Sequence, residues 1–372
     1  MRTESRHVVF LHQQFPCSGA EQVTIDVANY LCRQGYRVTV LAVTHLETGY
    51  HAGQERLFGI YLLPKGRTKW SPKVACAIRR FIVQEKVEVL VTYRELLYAS
   101  WLKRNTSIKI VFELHNTPGY EYLGNDSSGW LLKWFYKCKY HRVYRWADAY
   151  GVLDNGYRQI LVNELSLNTT KNKLWVLPNS IASSSKVAMP KDKLVIYVGR
   201  LTQRDKRVDR LLRIWQKAQH QLPEWQLKIV GKGKAAPRLK TLAEELQLER
   251  CSFEGHSAYI QNYYDHATIL CLTSSFEGWP MVIAEAQANG VIPIVFNSFA
   301  AAKGLITTAN EGILVPPFDN KLFAQQLVSL AKDEVRLQSM QKTVVQKAAT
   351  YTIERSGAAW EEMLHHIIDT RV

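Results

Sequence analysis

A strand–helix alternation runs through this chain twice, and that repetition limits the fold before any motif is considered. In the first pass HVVFL, YRVTVLAV, VEVLVTY, IKIVFEL, AYGVL and KLWVLP are short β-branched or apolar runs. Longer amphipathic stretches such as AEQVTIDVANYLCRQG, SPKVACAIRRFIVQE and GYRQILVNEL separate them. Apolar runs of four to eight residues suit buried strands, and the longer 3.6-periodic stretches suit helices. Strands that alternate with helices pair in parallel as a doubly wound α/β sheet. The polar segment Ser180 to Lys193 has no such period and reads as a linker. The alternation then restarts with LVIYVG, LKIVGKG, ATILCLTSS and VIPIVF, each followed by a helical stretch. A chain of 372 residues also exceeds what one ordinary core supports, so two α/β domains are expected.

The amino terminus carries charge and only the short apolar run HVVFL, below the length of a signal-peptide core. No stretch reaches the roughly 20 apolar residues of a membrane span. A cytoplasmic protein is therefore expected. The six cysteines show neither a CxxC pair nor zinc spacing, which suits free thiols in a reducing compartment. The net charge of +15 is uneven. Residues 1–190 hold 25 Lys and Arg against 14 Asp and Glu, which leaves 23 against 19 for the rest. A positive field of this kind favours phosphates, acidic lipids or nucleic acid.

Ser274-Ser275-Phe276-Glu277-Gly278-Trp279-Pro280-Met281-Val282-Ile283-Ala284-Glu285 follows the run ATILCL. Pro280 suits the first helical position, and Gly278 permits close approach of a ligand. The helix start offers N–H groups to an anion. Glu277 and Glu285 can accept hydrogen bonds from sugar or ribose hydroxyls. The same pair also fits an N-terminal acid and an exposed helix glutamate. Val198-Gly199-Arg200-Leu201 with Lys206 ends another strand in a glycine and two cations. Arg200 and Lys206 together can neutralise a diphosphate, and that charge grows as a nucleotide leaves. A solvated basic loop is the plainer alternative, since Arg204 and Arg207 lie beside them.

In order, VGRL…K, IVGKG and SSFEGWPMVIAEAQANGVIPIV resemble the retaining glycosyltransferases of family 4, with Glu277 and Glu285 as their E-x7-E pair. LWVLPNSI, SGAEQVTIDVANYLCRQGYRVTVL and YTIERSGAAWEEML extend the resemblance over nearly the whole chain. It implies a GT-B fold of two Rossmann-like doubly wound domains that face a central cleft. Residues 1–185 would form the acceptor-side domain and 186–350 the nucleotide-sugar domain. Residues 351–372 would be a helix that crosses back to the first domain.

The resemblance assigns the donor diphosphate to Arg200 and Lys206, the ribose to Glu285 and the transferred sugar to Glu277. The backbone of Gly278, Trp279, Pro280, Met281 and Val282 would lie against sugar and phosphate, and Gly199, Gly231 and Gly233 would line the donor site. His115, in FELHN, would stand beside the reacting sugar, and Gly19 would match a glycine-rich first loop. That loop departs from the usual glycine pair, because this chain has Ser18-Gly19-Ala20. His115, Glu277, Arg200 and Lys206 are thus the expected catalytic set. The implied reaction is retaining hexosyl transfer without metal or cofactor, and the chain contains no D-x-D triplet. A UDP-hexose is the first expected donor and GDP-mannose the second. The expected acceptor is lipopolysaccharide core or a lipid-linked glycan.

Two other readings compete. Gly231-Lys232-Gly233-Lys234-Ala235-Ala236 fits the G-x-G-x-x-A fingerprint of nicotinamide enzymes. The basic first half suits a binding protein, although no nucleic-acid-binding signature is present. Residues 129–146, GWLLKWFYKCKYHRVYRW, interleave cations with aromatics, so they fit either an anionic membrane surface or a half-buried helix with snorkelling lysines.

Overall fold

The computed structural model describes residues 5–15, 19–45, 55–64, 72–96, 98–119, 130–163, 173–181 and 190–369. The chain forms two compact units, Met1–Ser180 with Ile353–Val372, and Ile181–Thr352. The division therefore falls after Ser180 and after Thr352, a few residues from the expected limits at 185 and 350. Of the expected linker, residues 182–189 lie outside the described residues.

The first unit is built on a seven-stranded sheet among the described residues. Its strands are β1 (His7–Phe15), β2 (Arg37–His45), β3 (Gly59–Leu62), β4 (Val89–Thr92), β5 (Lys109–Leu114), β6 (Ala149–Val152) and β7 (Leu174–Val176). Their spatial order is β3-β2-β1-β4-β5-β6-β7, and every pair is parallel. Val8, Val9 and Phe10 of β1 are wholly buried, as are all four residues of β4 and of β6, so these strands read as continuous apolar runs. The second unit repeats the plan with β8 (Leu194–Val198), β9 (Gln226–Val230), β10 (Cys251–Gly255), β11 (Ile269–Leu272), β12 (Ile292–Phe296) and β13 (Ile313–Val315). The order there is β10-β9-β8-β11-β12-β13, again parallel throughout.

In each sheet the chain winds outward from one central strand, then returns and winds the other way. That reversal opens a crevice at the carboxyl ends of two neighbouring strands, where open α/β sheets bind ligands. The switch lies between β1 and β4 in the first unit and between β8 and β11 in the second. Every segment singled out for chemistry in the second unit leaves β8, β9 or β11 at its carboxyl end.

The C-terminal helix Ile353–Asp369 belongs to the first unit. Trp360 is buried against Phe10, with ring centroids 5.6 Å apart. Gly357 faces Tyr30 of the helix Gly19–Arg33 so closely that a Cβ there would lie 2.3 Å from the tyrosine ring. The Tyr30 hydroxyl donates to Glu361 at 2.9 Å, and Arg6 donates to Asp369 at 2.5 Å. Burial of Trp360 alone contributes about 3 kcal/mol.

Candidate active site

In the second unit, two loops that leave adjacent strands are tied together. One is residues 199–207 after β8, and the other is residues 273–280 after β11. Ser275 N donates to Asp205 O at 2.7 Å, and Thr273 Oγ1 donates to Arg207 O at 3.0 Å. Lys206 Nζ donates to both oxygens of Glu277, at 2.7 and 2.9 Å, and Ser274 Oγ donates to Glu277 Oε1 at 2.6 Å. Lys206, one of the two expected cations, and Glu277, one of the two expected carboxylates, thus form one charge pair, mostly sheltered from solvent. Lys206 has three N–H donors, and its ammonium makes two hydrogen bonds among the described residues, both to Glu277.

Arg200 is exposed and makes no ion pair among the described residues. Its carbonyl accepts from the Tyr197 hydroxyl at 3.0 Å. Burial pushes that phenol well above its ordinary range, so Tyr197 stays a neutral donor that pins the start of the loop. Glu285 lies on the helix Met281–Ala288, where its Oε2 accepts from the buried Tyr264 hydroxyl at 2.8 Å. Gly278, Met281 and Val282 are half-buried at the head of that helix.

One expectation for this segment needs correction. Pro280 is the N-cap, with φ −70° and ψ 96°, and not the first helical residue. Its carbonyl already accepts from Ile283 N at 3.0 Å while its own backbone is extended, which is the half-in state of a cap. Trp279 keeps its side chain for the core: the indole is buried edge-on against Tyr351, centroids 5.5 Å apart. Only its backbone remains available to a donor.

The glycines of the β8 and β9 loops have a steric cause. Gly199 and Gly231 have φ of 150° and 147°. A Cβ on Gly231 would sit 1.8 Å from Gly199 O, and one on Gly233 would sit 2.2 Å from Leu201 O. The two loops cross backbone on backbone, held by Leu201 N to Lys232 O at 2.9 Å and Ala235 N to Leu201 O at 3.1 Å. This crossing explains the spacing of the GKGKAA segment without a dinucleotide.

Sequence reasoning missed Arg210. It comes from the helix Val208–Ala218 and reaches under the Glu277 loop. Nη1 donates to Ser275 Oγ at 3.0 Å, and the guanidinium lies 3.7 Å from the ring centroid of Phe318. Desolvation, then the charge of Arg207, lowers Arg210 to about 10. No local pattern signals this contact, because Ser275 and Phe318 are far away in sequence.

The first unit gathers a different cluster at its own switch point. His115 directly follows β5, and its Nε2 lies 3.2 Å from Glu113 Oε2. That is ion-pair reach but not hydrogen-bond alignment, and among the described residues neither Glu113 oxygen nor His115 Nε2 completes a hydrogen bond. Glu113 is 1% exposed and stands opposite Gly151 of β6, whose missing side chain leaves it room. Tyr93, which follows β4, sets its ring edge-on to His115 at 4.7 Å. Its hydroxyl bonds Thr24 Oγ1 at 2.7 Å, and Thr24 in turn bonds His12 Nε2 at 3.0 Å. Burial lowers the pKa of His12 and, helped by the charge of Glu113, raises that of Tyr93. Both are therefore neutral hydrogen-bonding groups near pH 7. Gly19 opens the helix Gly19–Arg33, which carries Thr24, whereas Ser18 lies outside the described residues. His12, Tyr93 and Glu113 were legible only as strand-end residues.

Residues 17–184 match the model of Glycosyltransferase Family 4, and residues 181–349 match that of Glycosyl transferases group 1. The chain belongs to glycosyltransferase family 4. An uncharacterized glycosyltransferase of Haemophilus influenzae is 26% identical to it over 352 residues, covering 93% of this chain and 96% of that protein. The lipopolysaccharide 1,6-galactosyltransferase of Salmonella typhimurium is 26% identical over 54% of this chain and 57% of its own length. Anabaena HepE, solved with UDP-glucose, superposes with a TM-score of 0.79 at 15% identity, over 97% of this chain and 99% of that one. The fold of this glycosyltransferase is GT-B. Membership in the family displaces both the nicotinamide reading and the non-catalytic reading. Among the described residues, no helix of the glycosyltransferase is long and apolar enough to cross a membrane.

Proposed function

We propose that this glycosyltransferase is a retaining, metal-independent hexosyltransferase that uses a UDP-hexose, with GDP-mannose as second choice. Its acceptor is lipopolysaccharide core or a lipid-linked glycan at the inner face of the cytoplasmic membrane. The observation that carries the reading is the Lys206–Glu277 pair at the β8/β11 switch point. There a cation sits beside a carboxylate, a helix start and the exposed Arg200. Arg200 and Lys206 stabilise the diphosphate as its negative charge grows in the transition state. Glu277 accepts from hydroxyls of the transferred sugar, and Glu285 holds the ribose. The backbone of residues 278–282 faces sugar and phosphate, with Gly199, Gly231 and Gly233 lining the donor site.

The sugar passes through an oxocarbenium-like state, and the acceptor enters on the face that the nucleotide leaves. The departing diphosphate takes the acceptor proton. The family resemblance assigns His115 to the acceptor-side sugar contact and Gly19 to the first glycine-rich loop. One neighbour favours a UDP-sugar and one relative a hexosyl transfer: HepE was solved with UDP-glucose, and the Salmonella protein is named a galactosyltransferase.

A thermal-shift screen against UDP, GDP, ADP, NAD and NADP without added metal tests the reading. Native-state binding adds about 2.7 kcal/mol of apparent stability at a hundredfold excess over Kd. A shift with UDP alone is expected. A shift with NAD or NADP alone overturns the proposal. Activity that EDTA abolishes and Mn²⁺ restores overturns its metal-free part, and an inverted anomer in the product NMR spectrum overturns retention.

A further inference from the structure

The helix Trp130–Trp146 of the first unit has one face anchored and one face open. Tyr140, Val143 and Tyr144 are buried, and the Tyr140 hydroxyl accepts from Gly119 N at 2.9 Å. The other face begins with Trp130, Leu131, Trp134 and Phe135, which are 55–74% exposed. At about 100° per residue these four fall within an arc of roughly 140°. Single exposed apolar side chains are ordinary, but four large ones on two turns form a patch that calls for a partner.

Further along the same arc the chemistry changes. His141, Arg142 and Arg145 are exposed there, while Lys133 and Lys137 flank the apolar stripe. The helix carries five Lys and Arg and no Asp or Glu. Arg142 also donates to Glu95 at 2.6 Å. The open face is thus apolar over its first two turns and cationic over its last two.

We infer that this face docks on an anionic lipid bilayer, with Trp130, Leu131, Trp134 and Phe135 entering the headgroup–acyl boundary and the cations meeting lipid phosphates. Tryptophan is favoured at that depth because its ring is apolar and its N–H is polar. A surface-lying helix binds through its apolar face together with attraction to acidic lipids, and both terms are present here. A second copy of the chain is a poorer occupant, because face-to-face pairing would bring two acid-free cationic helices together. The inference deepens the proposed membrane-borne acceptor, yet its measurement does not depend on transfer activity.

The test is co-sedimentation of the full chain with vesicles of phosphatidylglycerol and phosphatidylethanolamine, and with phosphatidylcholine vesicles as reference. The wild-type chain is expected to pellet with the anionic vesicles, less so as salt rises. Trp134→Glu with Phe135→Glu is expected to lower partitioning by at least about tenfold. Lys133→Gln and Lys137→Gln are each expected to lower it by about fivefold. The thermal shift with UDP serves as the folding and donor-site control, and these exposed substitutions are expected to leave it unchanged. Wild-type protein that stays in the supernatant, or a double variant that partitions like wild type, overturns the inference. So does a dimer seen by sedimentation velocity that the double variant abolishes while vesicles remain unbound. A chain that binds vesicles but responds to no nucleotide keeps this surface and sinks the donor reading instead.

Discussion

The two units present switch-point sites of the same topology and opposite electrostatic state. In the second unit each key carboxylate is already engaged: Glu277 by Lys206 and Ser274, Glu285 by Tyr264. In the first unit Glu113 is almost wholly buried, and neither of its oxygens completes a hydrogen bond among the described residues. The carboxylates of the second site are therefore held by hydrogen bonds, whereas that of the first has the His115 ring nitrogen at 3.2 Å as its nearest charge partner among the described residues. A buried carboxylate without full compensation is costly to keep, so its presence beside His115 is itself an argument for function. The distinction can be attacked from either side by substitution.

The largest effect is expected at Lys206. Lys206→Ala removes the cation proposed to meet the leaving diphosphate, and turnover should fall about 10²–10³-fold with the fold intact. Because Glu277 holds the same ammonium, the effects of Lys206→Ala and Glu277→Gln should be strongly non-additive in a double-mutant cycle. Wild-type turnover of Lys206→Ala, or simple additivity of the pair, would break the picture of one hydrogen-bonded unit.

How far this contrast was legible in the sequence depends on the range of the contacts. Six strands of the first sheet and four of the second follow from the strand–helix alternation, whereas the short edge strands β3, β10 and β13 do not; Arg200, Lys206, Glu277 and Glu285 were singled out from motifs at strand ends. Those signals are local, since glycine, proline and charge spacing act within one loop. The pairing of Lys206 with Glu277 is not local, nor is the Tyr264 hydroxyl on Glu285 or the burial of Trp279 against Tyr351. The open face of the helix Trp130–Trp146 was half legible: its composition showed aromatics and cations, but only packing shows that Tyr140, Val143 and Tyr144 turn inward.

Arg210 gives the next effect. Arg210→Lys keeps the charge but loses the planar stack on Phe318 and the geometry at Ser275. The Glu277 loop should loosen, and kcat/KM should fall roughly tenfold through misplacement of groups that Arg210 does not itself touch. An unchanged kcat/KM would show that the hydrogen bonds between the two loops suffice without this brace.

Glu113→Gln probes the first unit in the opposite sense. It removes a buried charge at constant shape, so the first unit should gain about 1 kcal/mol and melt a few degrees higher. Transfer activity should nevertheless drop. A variant that is both less stable and less active would mean that the ion pair with His115 already compensates the carboxylate. The two sites would then not differ as described.

The smallest effect concerns pH and carries the same contrast beyond the sites. In the first unit, burial raises Asp26 to about 6, only partly offset by its bond from Gln22. In the second unit, Asp209 and Glu311 lie below the usual carboxylate range, because Arg207 in one case and Thr307 with Lys347 in the other outweigh the effect of burial. A carboxyl whose folded pKa is raised stabilises fully below its unfolded value, and that stability is lost as pH climbs through the folded one. Asp26 should therefore weaken the first unit between about pH 4 and pH 6, by about 1 kcal/mol after solvent screening. Asp209 and Glu311 act with the reverse sign: their stabilisation is present above about pH 4 and is lost on acidification below it. Calorimetric scans from pH 4 to pH 7 should show Asp26→Asn removing the decline of the first unit while leaving the second unchanged. A decline that persists in Asp26→Asn would assign it to other buried groups, with Asp154, also raised by burial, the next to replace.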